Sequence, residues 1–337
     1  MDTKNIILQI ENLQTQFQVG RKTVYAVNDV SLEVRRGHTL GIVGESGCGK
    51  SVTAHSILQL LPSNGRIAGG HVRFAPQPGG QVLELEKMSR TGREIRAVRG
   101  QQISMVFQDP MSSLNPVYTI GSQIMENLRL HEKISRADGK ERIIELLRQL
   151  GIPEPEQRYG EYPHQFSGGM KQRVMIAIAM ICNPSLLIAD EPTTALDVTI
   201  QAQILRLMRR LRSEHGTSII LITHNMGIVA EACDEVAVMY MGRVVESGTV
   251  QQIFSAPRHP YTRALLRSVP RLDMPAGTEL ASIPGNTPDA SMRFDHCEFE
   301  PRCACACDAC RRGFPEMYAC EPGHLVRCFV REGESCV

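Results

Sequence analysis

Three glycines, a lysine and a hydroxyl are crowded into one short stretch, GESGCGKS, which runs from Gly44 to Ser51. Glycine at Gly44, Gly47 and Gly49 allows backbone angles that other residues avoid. The apolar segment before the stretch, residues 39–43, is strand-like, and the segment after it has helical spacing. A strand, a glycine loop and a helix start in that order make a cradle for an anion, because backbone N–H groups and the helix N-terminus point at one place.

The pattern G-x-x-x-x-G-K-[ST] is met by Gly44, Gly49, Lys50 and Ser51. In such a loop the lysine reaches the β- and γ-phosphates of a nucleotide, and the hydroxyl holds Mg²⁺. The rival dinucleotide pattern G-x-G-x-x-G fails, because its third glycine would fall at Val52. We therefore expect ATP to bind along the loop, which consists of Gly44, Glu45, Ser46, Gly47, Cys48, Gly49, Lys50, Ser51 and Val52.

An acidic pair follows a predicted buried strand in SLLIADEP. Asp190 ends the apolar run, and ligands of open α/β sheets bind at the carboxyl ends of the strands. Asp190 is thus placed to join the Mg²⁺ shell, and Glu191 to polarise a water for attack on the γ-phosphate. Alone, such a pair would more often cap a turn, but together with the glycine loop it predicts ATP hydrolysis.

Strand and helix patterns alternate around these residues. Strand-like segments occur in residues 5–70 and again in residues 185–250, as in SLLIAD, SIILITH and EVAVMYMGRVVESG. Residues 108–180 between them contain helical segments, IGSQIMENLRLHEKI and GKERIIELLRQLGI. This alternation predicts an α/β domain with a mostly parallel sheet, into which a helical block is inserted.

Length, composition and net charge limit the kinds of protein that this chain can be. Its 337 residues, 42% of them hydrophobic, are enough for about two domains with a sizeable core. The net charge of +1 argues against nucleic acid as the main partner, because phosphate binding usually leaves a basic excess. No signal peptide pattern is visible, and no apolar run approaches the ~20 residues of a membrane helix. We expect a soluble, cytoplasmic protein that sits on a membrane protein.

The segment HQFSGGMKQRVMIAIAM opens a predicted helix with Ser167, Gly168 and Gly169, a second anion-binding N-terminus. Here the chain resembles the ATP-binding cassette (ABC) family, whose signature reads roughly LSGGQ. Phe166 and Met170 stand where that family has Leu and Gln. In the family, the signature loop of one subunit closes on the nucleotide held by another. The resemblance therefore implies a dimer with composite ATP sites.

Further elements of the family follow in the same order. The resemblance implies that Gln108 of VFQDP contacts Mg²⁺ and senses the transporter partner, that Asp197 of ALD lies across the dimer, and that His224 of LITHN contacts the γ-phosphate. It also implies an aromatic residue that stacks on the adenine. Phe17 fits the spacing of that residue better than Tyr25, which is the alternative.

The residues after Pro257 carry a second resemblance. APRHPYTRALLRSVPRL is similar to the extension on ATPase subunits of oligopeptide and dipeptide importers, which also carry nickel and other small solutes. The D-type subunit is the nearest match. It pairs with an F-type ATPase beneath two membrane permeases that an extracytoplasmic binding protein serves. The resemblance implies a cassette over residues 5–257, with a helical subdomain at 108–180, an extension over 258–337, and a place on the cytoplasmic face of the inner membrane.

Eight of the eleven cysteines lie between Cys297 and Cys336, which in a reducing compartment suggests metal rather than disulfides. The importer group carries a pattern that is matched here by Cys297, Cys303, Cys310 and Cys328. Four thiolates suit a [4Fe–4S] cluster, which the resemblance favours, or a tetrahedral zinc ion. Four further cysteines leave the ligand set open: Cys305, Cys307, Cys320 and Cys336.

These features together predict an ATPase that drives peptide import. Import of nickel or another small solute by the same machinery is the alternative. A soluble cassette ATPase acting on DNA or ribosomes is more distant, since such proteins usually have tandem cassettes or basic arms. A metal module that senses redox state or iron is compatible with transport.

Overall fold

The computed structural model describes residues 1–109, 113–194, 196–269 and 283–329 of the chain. Its described strands form two sheets. In chain order they are β1 Ile6–Val19, β2 Lys22–Arg35, β3 Thr39–Val43, β4 Gly65–Phe74, β5 Leu83–Glu84, β6 Ile103–Val106, β7 Leu186–Asp190, β8 Ser218–Thr223, β9 Glu235–Tyr240, β10 Arg243–Thr249, β11 Met317–Glu321 and β12 His324–Arg327.

Helices pack around the sheets. Several of them have an N-cap residue whose side chain accepts a backbone hydrogen bond. Thr119 and Ser135, for example, each accept a hydrogen bond from the backbone N–H three residues on. The helices are α1 Lys50–Ile57, α2 Arg93–Val98, α3 Ile120–His131, α4 Arg136–Gln149, α5 Pro155–Arg158, α6 Gly168–Met180, α7 Val198–His215, α8 Met226–Ala232, α9 Val250–Ser255, α10 Pro260–Arg267 and α11 Asp308–Arg312. Among the described helices, none is long and apolar enough to cross a membrane.

The larger sheet has eight strands in the order β11-β12-β10-β9-β3-β8-β7-β6. Its five strands from β9 to β6 are parallel, and Ile42 of β3 lies opposite both Ile222 of β8 and Ala237 of β9. Every residue of β3, β7 and β8 is buried. Strands that are apolar on both faces need cover on both sides of the sheet. The predicted α/β class with a mostly parallel sheet is therefore confirmed.

The parallel strands place the predicted site residues at one edge of the larger sheet. At their carboxyl ends, β3 leads into the glycine loop, β6 is followed by Gln108, β7 ends at Asp190, and β8 is followed by His224. Because parallel strands end on the same side, residues distant in sequence become neighbours in space.

A four-stranded antiparallel sheet, β2-β1-β4-β5, packs beside the first. Its buried residues, such as Ile10 and Val30, share one apolar cluster with Ile42 of β3 and Ile57 of α1. This cluster holds the strand before the glycine loop and the helix after it against a second layer.

The helical segments predicted between residues 108 and 180 are confirmed as α3 and α4. With α6 they form a core in which Ile124, Leu147 and Ile176 pack with Leu187 of β7. The helical block thus rests on the same strand that ends in Asp190.

Residues 317–327 have little apolar periodicity, so no hairpin is predicted there. In the structure, β12 pairs antiparallel with β10, and Glu246 lies opposite Val326. Two strands from the predicted extension therefore enlarge the central sheet.

One buried carboxylate, that of Glu246 on β10, ties the extension to this sheet. It accepts hydrogen bonds from the backbone N–H groups of Arg258 and His259, at 2.7 and 2.9 Å, and contacts Nε2 of His324 at 2.7 Å. Glu246 and His324 are both fully buried. A buried carboxylate needs this many partners, because each lost hydrogen bond leaves a desolvated group unpaired.

We expect Glu246→Ala to lower the free energy of unfolding by about 3 kcal/mol, because two backbone donors and His324 lose their acceptor. Urea denaturation of the whole chain measures the effect. Glu231→Ala is the control, since Glu231 forms an exposed pair with Arg209 and such pairs contribute about 0–1 kcal/mol. Equal losses for the two variants would contradict the prediction.

Candidate active site

The glycine loop between β3 and α1 is shaped by close contacts with neighbouring backbone. A Cβ added at Gly44, where φ is +154°, would lie 2.2 Å from the carbonyl oxygen of Met239. One added at Gly49, where φ is +99°, would lie 2.3 Å from that of Ala26. A Cβ at Gly47 would meet open space. Gly44 and Gly49 are thus required by packing, and Gly47 lies at the open mouth of the loop.

Lys50 begins α1, and its ammonium lies inside the loop. Its Nζ donates to the carbonyl oxygens of Gly44 and Glu45 at 2.8 and 2.9 Å, and the residue is 6% exposed. The buried Cys48 sulfur also accepts from Lys50 Nζ, at 3.7 Å. A buried positive charge ringed by loop backbone attracts a polyphosphate strongly, because little water screens it.

Ser51 and Asp190 meet beside the loop, as their assignment to one Mg²⁺ shell requires. The Ser51 hydroxyl donates to Oδ1 of Asp190 at 3.1 Å. Burial raises the pKa of Asp190, although the hydrogen bond from Ser51 opposes this. A hydroxyl and a carboxylate are oxygen donors of the kind that Mg²⁺ prefers. The residues present therefore fit the ion.

Glu191 is the centre of a hydrogen-bond network at the same edge. Its Oε1 lies 3.1 Å from Nδ1 of His224, and its Oε2 accepts from Nε2 of Gln108 at 3.2 Å. Thr194, which the sequence analysis did not single out, donates to Oε2 at 2.8 Å. The three predicted catalytic residues are thus brought together, and a threonine three residues after Glu191 joins them.

The network favours the ionised form of Glu191. Burial opposes ionisation, but hydrogen bonds with His224 and Thr194 and the charge of Lys50 outweigh it, so the pKa of Glu191 lies below its ordinary value. The backbone of Glu191 has a φ of +45°, and its N–H donates to Ile222 of β8 at 2.9 Å. A carboxylate held in this way is available as a base near neutral pH.

The signature residues lie at the start of α6. Ser167 caps the helix through the backbone N–H of Met170, and a Cβ at Gly169 would meet Ile200 of α7 at 2.9 Å. Ser167 and Gly168 are exposed. Asp197 caps α7 by accepting from the N–H of Ile200 at 2.9 Å. Ala195, the first residue of the predicted D-loop, lies outside the described residues.

The two candidates for the adenine contact have different surroundings. Phe17 of β1 packs over Gly65 of β4, where a Cβ would lie 2.5 Å from the ring. Tyr25 of β2 is next to Ala26, which touches the glycine loop, and its N–H donates to Ala290 at 2.9 Å. Both are partly buried, and the preference for Phe17 stays a prediction.

The extension reaches the glycine loop through residues that the sequence analysis missed. Arg302 forms an ion pair with the Glu45 carboxylate at 2.7 Å, and the Tyr261 hydroxyl accepts from the Glu45 N–H at 2.9 Å. The side chain of Glu45 therefore faces the extension. Tyr261 lies in the segment that resembles the importer extension, and Arg302 lies in no quoted motif. Neither position indicates the contact with Glu45, because that partner lies more than two hundred residues away in sequence.

Five cysteines of the extension gather in one region. The Cys307 and Cys310 sulfurs are 3.5 Å apart, and the Cys297 N–H donates to the Cys310 carbonyl at 3.1 Å. Burial raises the pKa of the Cys297 thiol to about 12, with Cys310 and Cys328 adding to the shift. Burial also raises the pKa of Cys303, with Cys307 adding. The four cysteines of the family pattern are therefore neighbours, joined by Cys307.

The remaining cysteines of the extension are placed differently. Cys320 donates to the His324 carbonyl at 3.3 Å within the β11–β12 hairpin, and Cys305 is in a disulfide. Cys336 lies outside the described residues.

The described thiols of the extension do not form the tight group of four sulfurs that a bound zinc ion holds. A tetrahedral zinc ion with Zn–S bonds of about 2.3 Å would hold its sulfurs about 3.8 Å apart. Among the described residues, no three cysteine sulfurs lie within 4.8 Å of one another. The Cys307 and Cys310 sulfurs, at 3.5 Å, have a spacing close to that of two zinc ligands.

Comparison with known proteins gives matches along most of the chain. Residues 27–194 match the family model described as ABC transporter. Residues 245–310 match the model described as Oligopeptide/dipeptide transporter, C-terminal region. The second match covers the segment that carries Tyr261 and Arg302.

Curated relatives align with the chain over most of its length. The probable peptide ABC transporter ATP-binding protein y4tR of Sinorhizobium fredii is 48% identical, over 96% of this chain and 95% of the relative. The oligopeptide transport ATP-binding protein OppD of Salmonella typhimurium is 48% identical, over 96% and 94%. The dipeptide transport ATP-binding protein DppD of Bacillus subtilis is 46% identical, over 97% and 95%.

Solved structures share the fold. A dimeric, post-hydrolysis state of the ATP-binding cassette MJ0796 with ADP and Pi has a TM-score of 0.63 and 25% identity, over 72% of this chain and 98% of that one. The cassette cbiO1 from Clostridium perfringens, part of the ABC transporter complex cbiONQ, has a TM-score of 0.62 and 27% identity, over 75% and 92%.

Gly44→Ala should abolish nucleotide binding by the chain, because its Cβ would overlap the Met239 carbonyl and force the loop to move. Gly37→Ala is the matched control: φ is +68° there, but a Cβ meets nothing within 4 Å. Titration with a fluorescent ATP analogue measures both. If both variants bound the analogue as the unaltered chain does, the loop would not depend on this contact.

Proposed function

The chain belongs to the ABC transporter family of ATP-binding proteins, and we propose that it is the ATPase subunit of a peptide importer. It binds ATP with Mg²⁺ and hydrolyses it to drive the import of di- or oligopeptides. The observation that carries this function is the convergence of Lys50, Asp190 and Glu191 at one edge of the parallel sheet. The peptide cargo is supported by the names of the relatives and by the match of the extension.

The glycine loop acts first, by binding the triphosphate. Backbone N–H groups from Gly44 to Ser51, with Val52 in the first turn of α1, surround the phosphates, and the Lys50 ammonium contacts the β- and γ-phosphates. Ser51 and Asp190, with Gln108, would hold Mg²⁺, which supplies neutralisation of the charge on the leaving diphosphate.

Glu191 then acts on the water. Its carboxylate accepts a proton from the water as the water oxygen attacks the γ-phosphorus and the bond to the β-phosphate oxygen breaks. Gln108 and His224 orient the carboxylate through the hydrogen bonds at 3.2 and 3.1 Å. His224 is the residue we assign to the γ-phosphate, since its ring is largely exposed at this edge.

A second ATPase subunit completes the site. Ser167, Gly168 and Gly169 present an exposed helix N-terminus, which suits phosphate of a nucleotide on a partner. Asp197 follows at the start of α7, in the same surface. We assign the partner as an F-type paralogue, with two membrane permeases below and an extracytoplasmic binding protein that delivers the peptide.

We further propose the division of the chain at residue 257, into a cassette with the helical subdomain 108–180 and the extension 258–337. As the ATPase of an importer, the chain acts on the cytoplasmic face of the inner membrane, held there by its permeases. Phe17 is the residue we assign to the adenine.

The extension is proposed to carry a [4Fe–4S] cluster on Cys297, Cys303, Cys310 and Cys328. Their match to the cysteine pattern of the importer group and their proximity support it. Cys307, at 3.5 Å from Cys310, is a competing ligand, and zinc is the alternative metal.

Glu191→Gln should bind ATP and form the dimer but lower the ATPase rate by about 100-fold or more, since the amide cannot accept the proton. The test is ATPase activity and peptide uptake in vesicles with the encoded neighbouring subunits. Glu145→Gln, at an exposed pair with Arg148, should leave both unchanged. Full turnover by Glu191→Gln would reject the assigned base. Uptake of nickel without uptake of peptide would reject the cargo.

The cluster is tested by colour and metal content. Protein purified without oxygen should be brown and contain iron and sulfide, and Cys303→Ser with Cys310→Ser should lose the visible absorbance. Cys320→Ser should keep it, because Cys320 contacts the hairpin. A colourless, zinc-loaded protein would contradict the proposal.

A further inference from the structure

The second residue of the glycine loop, Glu45, is held from outside the cassette. Nη1 and Nη2 of Arg302 meet its two carboxylate oxygens at 2.7 and 3.0 Å. The arginine side chain is 5% exposed, whereas that of Glu45 is 27% exposed. Paired contacts between a guanidinium and a carboxylate are strong and directional. Arg302 therefore restrains where this part of the loop lies.

The position of Arg302 is fixed by the residues around it. It ends a 3₁₀ turn, Glu300–Arg302, that begins after Phe299. The Phe299 ring packs in a buried aromatic cluster, with centroids 5.2 Å from Tyr240 and 5.4 Å from Tyr261. Nε of Arg302 also donates to the Pro284 carbonyl at 2.9 Å. A side chain anchored in this way loses little entropy when it binds its partner.

The backbone of Glu45 is held by the same surface. Its N–H donates to the Tyr261 hydroxyl at 2.9 Å, and Tyr261 is fully buried. The Glu45 carbonyl in turn accepts from Nζ of Lys50 at 2.9 Å. Contacts therefore run without a break from Arg302 through Glu45 to the lysine that binds phosphate.

The charge of the Glu45 carboxylate also matters for ATP binding, in addition to the position of the loop. The Glu45 carboxylate lies in a loop that binds a highly charged anion, and an uncompensated carboxylate there would repel it. Arg302 is the cation that neutralises it. Resting on the proposed ATP-binding function, we propose that Arg302 is a positioning residue that sets the ATP affinity of the loop through Glu45, so that the cassette needs its extension to bind nucleotide well.

The test is titration of the full chain with Mg-ATP, alongside thermal melting and steady-state ATPase assays with its partner subunits. Arg302→Gln should raise the Kd and KM for ATP about tenfold, because the partly buried Glu45 carboxylate loses its cation beside the phosphate site. The kcat at saturating ATP should stay near that of the unaltered chain, because Glu191 is untouched. Arg302→Lys should restore part of the affinity, since it keeps the charge but loses the fork.

Two further variants separate this effect from a loosened extension. Arg327→Gln is the matched control: Arg327 also immediately precedes a cluster cysteine and pairs with a cassette carboxylate, Asp29, at 3.2 Å, but does not touch the loop. It should leave the Kd unchanged. In a Glu45→Gln background, adding Arg302→Gln should weaken ATP binding far less than it does alone.

Wild-type affinity in Arg302→Gln would overturn the inference, as would equal losses in Arg302→Gln and Arg327→Gln or an undiminished effect in the Glu45→Gln background. The proposed function fails separately, if the unaltered chain does not bind Mg-ATP and Lys50→Ala changes nothing.

Discussion

The structure depends on how closely three backbone segments approach one another at the glycine loop. Gly44 lies against a carbonyl of β9, and Gly49 against a carbonyl of β2, at distances that leave no room for a side chain. The loop is therefore wedged between the two sheets. Its N–H groups are oriented before any ligand arrives, and such preorganisation is what makes backbone an effective anion site.

The parallel strands place the other residues of the active site beside the glycine loop. β6, β7 and β8 end beside the loop, so Gln108, Asp190 and His224 reach the same space from separate parts of the chain. Glu191 links two of them through its two carboxylate oxygens. Each of these side chains lies at or just after the end of a buried strand. The rigid sheet therefore limits the movement of the groups that act on phosphate and water.

Motif spacing and apolar periodicity predict the α/β class, helices α3 and α4, and the residues at the sheet edge, because these depend on local sequence. Contacts between distant residues are not visible in the same way. The pairing of Arg302 with Glu45 spans 257 positions. The pairing of β12 with β10 is also long-range, and β12 has only a weak apolar pattern. The family pattern passes over Cys307, which the sequence leaves open as a ligand, and in the structure its sulfur lies 3.5 Å from that of Cys310.

The pairing of β12 with β10 forms late during synthesis of the chain. On the ribosome, β10 is synthesised well before β12, and at about 5–20 residues per second the wait lasts several seconds. During that time one edge of the central sheet is unpaired, and the Glu246 carboxylate on β10 lacks its contact with His324. Nascent chains are thus open to wrong strand pairing until the last segment emerges, which gives chaperones a defined window to protect.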